Sequence, residues 1–127
     1  MRVYTAVLFQ FADFSCIEDV TLGLRWSPAD FASEVMNRAT ALTAANIKPG
    51  SIVVIAHSGS ARFFADLFAV WNLGCTAACI DAALTANEVE TLIGFVEPSA
   101  VLVDEVTPAA RTSAPVHRRN VSIRINE

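Results

Sequence analysis

The sequence predicts an α/β domain: a parallel sheet of three or more core strands flanked by helices, with a small N-terminal β-hairpin ahead of it. Three observations carry this. Between Ser27 and Asp104 the pattern passes three times from helical to strand spacing, an order that sets strands side by side in one direction beneath their connecting helices. The strand segments are short continuous apolar runs such as Ile52-Val53-Val54-Ile55-Ala56, which is how strands covered on both faces read. Gly50 and Gly74 stand just past two of the helical segments, where the chain has to turn.

Taken in order, residues 3–14 are apolar without a clean period and fit a strand or a short helix. Next comes the hairpin, with Glu18-Asp19 expected at its turn and Val20 to Trp26 as its second strand, weakened by Gly23. The first helix is well marked. Ser27 can cap it, Pro28 suits its first position and Asp30 favours its N-terminal dipole. Phe31, Val35, Ala39 and Leu42 share one face, with Met36 beside them. Asn46 can take the left-handed conformation at the stop, and Pro49-Gly50 prevents continuation.

The strand from Ile52 to Ala56 leads through His57-Ser58-Gly59-Ser60 into a second helix, capped by Ser58 or Ser60. Phe63, Phe64, Leu67, Phe68 and Trp71 form its apolar stripe, which we read as packing. Cys75 to Ile80 reads as a second buried strand of small residues. Thr85 and Glu88 fit a capping box at the head of a third helix, which ends near Val96 before Pro98. Ala100-Val101-Leu102-Val103 is a third core strand. After Glu105 the pattern dissolves, apart from an alternation at Val121 to Ile125 that suggests a terminal strand.

Composition narrows the function classes. A formal charge of −4 with 17% charged residues gives no basic surface for nucleic acid, and His117-Arg118-Arg119 reads as a solvated tail. The 54% hydrophobic content calls for helices on both sheet faces together with some apolar surface for a partner. No apolar run approaches the length of a membrane span, and Met1 to Phe9 lacks the cleavage pattern of a signal peptide. Cys16, Cys75 and Cys79 are an odd number. Cys75 and Cys79 lie too far apart along one strand to bridge, so reduced, buried thiols in the cytoplasm are expected.

Several segments, in order, resemble the N-terminal part of the adenylate-forming enzymes, the acyl- and aryl-CoA ligases, peptide-synthetase adenylation domains and luciferases. Trp26-Ser27-Pro28-Ala29-Asp30-Phe31 resembles the family's aromatic-led approach to its first helix. Ile47-Lys48-Pro49-Gly50-Ser51-Ile52-Val53-Val54-Ile55 resembles its Lys-Pro-Gly-Asp turn and strand. Phe68-Ala69-Val70-Trp71-Asn72-Leu73-Gly74-Cys75 resembles its Ala-rich helix end, Leu84-Thr85-Ala86-Asn87-Glu88-Val89 its next helix start, and Glu97-Pro98-Ser99-Ala100-Val101-Leu102-Val103-Asp104 the strand that follows. Ser51 stands where the family usually has Asp, and Cys79 where it usually has Pro.

This resemblance implies that residues 1–105 are an N-terminal α/β subdomain of adenylate-forming type and residues 106–127 a divergent or extended tail. The family's Gly-rich phosphate loop, which gathers backbone amides and a lysine around phosphates, has no counterpart here. Its ribose-binding aspartate and catalytic lysine are also missing, and the sequence holds one lysine, Lys48. ATP, Mg and CoA are therefore implied for a complete family member, with none bound by this chain alone. Two functions are expected on this basis. In one, the chain is the scaffold piece of an ATP-dependent carboxylic acid ligase. In the other, it is a short interaction module or one half of a split ligase, whose partner is the remainder of such an enzyme or another protein. An apolar-rich chain of this kind can also form a homodimer.

His57, Ser58 and Gly59 are the first candidates for contact with a ligand or another domain, because they follow a strand and open a helix where an anion meets free amides. The plainer reading is a turn with serine caps. Asp81, beyond the second strand, is a fourth candidate at the sheet end where α/β sites gather, against an ordinary turn role. Ser58, His57, Asp66, Asp81 and His117 supply the residue types of a nucleophilic triad, but no Gly-x-Ser-x-Gly elbow presents the serine.

Overall fold

The computed structural model describes residues 16–57 and 60–104 and the backbone of residues 122–125. Its elements are β1 (Ile17–Asp19), β2 (Leu24–Trp26), α1 (Pro28–Ala44), β3 (Ile52–Ile55), α2 (Ala61–Asn72), β4 (Thr76–Cys79), α3 (Ala86–Val96), β5 (Ala100–Val103) and β6 (Ser122–Ile125). β1 and β2 form an antiparallel pair, and the other strands form a four-stranded sheet in the order β4-β3-β5-β6. Every pairing in that sheet is parallel. The expected segment 3–14 lies outside the described residues.

Strand order explains the layering. The chain leaves β3 for β4 on one side, then returns past β3 to β5 on the other. Right-handed crossovers of opposite direction place their helices on opposite faces of the sheet. One core accordingly joins Phe31, Val35, Ala39 and Leu42 of α1 and Ala65, Ala69 and Val70 of α2 to Val53, Ile55, Ala100 and Leu102. A second joins Val89 and Ile93 of α3 to Val54, Val101 and Val103. Odd and even strand positions thus serve different faces, and the continuous apolar runs in β3 and β5 are the consequence.

Local chemistry fixes the helix ends. The Ser27 hydroxyl accepts the Asp30 N–H at 3.1 Å and the Asp30 carboxylate accepts the Ser27 N–H at 2.9 Å, a complete capping box for α1. Asn46, with φ 64°, takes the expected left-handed stop. At α3 the Thr85 hydroxyl accepts the Glu88 N–H at 3.2 Å, but the Glu88 carboxylate meets that same hydroxyl at 3.0 Å instead of reaching the backbone.

Four expectations need correction. The hairpin turns at Val20 to Gly23, not at Glu18-Asp19, because Gly23 adopts φ 66° and the Asp19 carboxylate accepts the Leu22 N–H at 3.0 Å. In α2 the fully buried face carries Ala61, Ala65, Asp66, Ala69, Val70 and Asn72. Its aromatics lie on the flank, with Phe64 50% and Trp71 40% exposed. Small side chains let the helix lie close to the sheet, which leaves the large ones to pack laterally: Phe68 meets Phe31 edge to face at 5.3 Å. β4 is an edge strand, half open to solvent, so Cys79 is exposed while Cys75 is buried, and all three described cysteines are free. Ser60 stands at the N-cap of α2 but makes no side-chain cap.

Phe31, 2% exposed, sits where α1, α2 and the hairpin meet, with Trp26 at 6.2 Å between ring centres. Phe31→Ala should lower unfolding free energy in urea by about 3 to 5 kcal/mol. Phe95→Ala, at a site 85% exposed, should change it by less than about 0.5 kcal/mol.

Candidate functional site

In an open parallel sheet, ligands gather beyond the carboxyl ends of the strands, where strand order reverses. Here the reversal lies between β3 and β5, and the residue leaving β3 on that side is His57. It is 1% exposed. Its Nε2 lies 2.7 Å from Asp66 Oδ2. Asp66 is on the buried face of α2 with no exposed surface, and its Oδ1 pairs with Arg38 Nε of α1 at 3.1 Å. Arg38 Nη1 in turn donates to the Glu34 carbonyl at 3.2 Å and meets the Glu34 carboxylate one helical turn away. The guanidinium lies 5.9 Å from the centre of the Trp26 ring, within cation–π range.

The physics of this chain of groups is compulsory pairing. A carboxylate and a guanidinium taken out of water are tolerated only with partners on both sides. Asp66 has one on each oxygen. Because a carboxylate accepts, the imidazole presents Nε2–H to it, and the ring is fixed at the strand end. Phe63 packs edge-on against that ring at 6.2 Å. The arrangement fixes the residue that follows the end of β3 by tying it to two helices.

Of the four candidate residues, His57 is thus built into the interior, and Ser58 and Gly59 lie outside the described residues. Asp81 is exposed beyond β4, and its Oδ1 accepts the Ala83 N–H at 2.8 Å, the geometry of a turn residue. From the triad set the structure brings His57 and Asp66 together; His117 lies outside the described residues. Arg38 and Glu34 escaped the sequence reading. The available signal was a charge on an apolar face: Arg38 falls between Val35 and Leu42, and Asp66 between Ala65 and Ala69.

Beside the turn a groove of about 370 Å³ runs between the hairpin and the start of α2, lined by Ile17, Asp19, Val20, Ser60, Ala61 and Phe64. Asp19 closes it. Its Oδ2 accepts the Ala61 N–H at 2.9 Å, supplying from the hairpin the cap that Ser60 does not provide. That bond, and the one from Leu22, hold the carboxyl below its ordinary value of 3.8. At the opposite end of the sheet, Lys48 lines a second groove of about 410 Å³ with Thr43, Asn46 and Pro49. Among the described residues no cluster of three or more His, Cys, Asp or Glu side chains could hold a metal ion. The one lysine of the sequence, Lys48, stands before β3, at the end of the sheet opposite His57.

A family model described as AMP-binding enzyme matches residues 7–126. Over 101 residues the chain is 31% identical to the hybrid PKS-NRPS synthetase gkaA of Penicillium citrinum, an alignment covering 80% of this chain and 2% of the synthetase. ATP-bound MatB from Rhodopseudomonas palustris superposes with a TM-score of 0.75 at 18% identity, over 96% of this chain and 24% of MatB. The N-terminal domain of FACL13 from Mycobacterium tuberculosis gives 0.71 at 22%, over 83% and 28%. The luciferase-like enzyme of the nonluminescent mealworm Zophobas morio gives 0.74 at 21%, over 91% and 28%. At these identities the three structures share the fold, and the chain spans about a quarter of each.

Two outcomes test the site's construction. Asp66→Ala takes the carboxylate from both Arg38 Nε and His57 Nε2, leaving Glu34 as the one carboxylate the structure shows on Arg38, and should cost about 3 kcal/mol in urea unfolding, with Asp66→Asn in between. For Asp19 the sign follows from a folded-state pKa lowered below 3.8. Its contribution is complete above that value and is lost as pH falls through the depressed one. Thermal melts should therefore show Asp19→Asn below wild type at neutral pH, with the gap closing in acid.

Proposed function

We infer from the fact that this chain belongs to the AMP-binding enzyme family that it serves as the N-terminal scaffold piece of an ATP-dependent carboxylic acid ligase. The complete enzyme would join an acid to AMP as an acyl-adenylate and then pass the acyl group to a thiol. The observation that carries the reading is the family match along residues 7–126. In this reading the chain's task is positional. The His57–Asp66–Arg38 lock fixes the carboxyl end of β3, and this part of the chain would form part of one wall of the active centre. Nucleotide, Mg and CoA would be handled by the remainder, since no Gly-rich phosphate loop occurs in this sequence and Lys48 stands at the far end of β3.

A second reading, an interaction module or split-ligase half, draws support from large apolar side chains left in solvent: Val20, Phe64, Trp71 and Phe95. No helix among the described residues is long and apolar enough to cross a membrane. The free cysteines fit a reducing compartment, and we assign the cytoplasm on that basis.

ATP–pyrophosphate exchange with a panel of carboxylic acids tests the proposal. The chain alone should give none, and adding the rest of an adenylate-forming relative trimmed of the matching region should restore exchange. Exchange by the chain alone would overturn the inactive-scaffold reading. Failure of the mixture to bind or to react would favour the interaction module.

A further inference from the structure

Contacts lead from the hairpin to His57 by two routes. One starts at its turn. Asp19 Oδ2 accepts the Ala61 N–H at 2.9 Å, and Ala61 opens α2. Phe63, in the same first turn, packs edge-on against the His57 ring with 6.2 Å between centres. The other starts at its base. The Trp26 ring lies 5.9 Å beneath the Arg38 guanidinium, Arg38 Nε meets Asp66 Oδ1 at 3.1 Å, and Asp66 Oδ2 lies 2.7 Å from His57 Nε2.

The first route joins two elements that need each other. The first amides of a helix have no acceptor within it and depend on a cap. Ser60 stands at the N-cap of α2 without a side-chain cap, so the bond from Asp19 holds that turn from outside the helix. The hairpin consists of two three-residue strands, too few to stay ordered alone, and the bond to Ala61 is one of its moorings.

We propose that the β1–β2 hairpin is a strap that sets the freedom of His57. Seated, it caps α2, keeps Phe63 against the imidazole and leaves the ring fixed on Asp66. Released at Asp19, it lets the first turn of α2 fray, Phe63 withdraw and the ring loosen. The capped or frayed turn is the two-state element that both ends bias. Such coupling is reciprocal, so whatever immobilises the imidazole also seats the hairpin. The coupling is independent of the ligase reading, since every contact in it lies among residues 19–66.

Proton exchange measured by NMR on the full chain tests this. In a His117→Gln background His57 is the one histidine, and its Nε2–H reports how firmly Asp66 holds the ring. Asp19→Ala should speed exchange of the Ala61 amide and of the His57 Nε2–H by about tenfold each, the effect of a lost cap. Amides of β5, which lies between β3 and β6, should keep their rates. Adding Phe63→Leu, which removes the ring contact, should shrink the effect of Asp19→Ala on the imidazole while leaving its effect on Ala61. Three results would each overturn the proposal: an imidazole proton indifferent to Asp19→Ala, an equal acceleration in β5, which marks a general loss of stability, or an Asp19→Ala effect on the ring that Phe63→Leu leaves undiminished.

Discussion

Asp66 is the group on which the upper layer of this molecule depends. It sits without exposed surface on α2, yet each of its oxygens meets a nitrogen from another element, His57 after β3 and Arg38 on α1. Apolar contacts alone would let α1 and α2 slide against each other with little change in buried area. A buried carboxylate does not permit that, because losing either partner leaves charge in a low-dielectric interior. The lock therefore selects one arrangement of helices and strand end, and Trp26, over which Arg38 lies, brings the hairpin under the same constraint.

This constraint acts where an α/β sheet ordinarily presents its ligands. Folds of this kind form their ligand crevice where strand order reverses, here between β3 and β5, and the fixed imidazole follows β3 at that end. Chemistry in such a fold is contributed by loops, and a loop is only as well placed as its anchors.

How legible was this in the sequence? Phe31, Val35, Ala39 and Leu42 announced their shared face because a helical period sustained over three turns suits neither a strand nor a loop. The Ser27 cap, the Asn46 stop and β5 were equally plain, each being set by neighbouring residues. The failures share a different cause. Whether β4 is central or at an edge depends on strand order, which no local pattern encodes, and small apolar residues suit either place. In α2 the aromatics suggest the buried face by area, whereas the approach distance to the sheet favours the alanines. Gly23 looks like a flaw in a strand and is in fact the turn itself. Arg38 and Asp66 belong to different helices, so their pairing became visible only in three dimensions, although each is a charge on an apolar face.

One bond has a bearing on how the chain comes to assume this shape. Asp19 and Ala61 are 42 positions apart, and everything between them, the end of the hairpin, α1 and β3, lies within the loop their contact closes. Closing a loop of that length is entropically costly before its contents are ordered and much less so afterwards. The Asp19–Ala61 bond is thereby favoured once α1 has settled on the sheet. During synthesis Asp19 would emerge well before Ala61, so this one bond waits for a helix start not yet translated, while Trp26 can already meet Phe31 of α1.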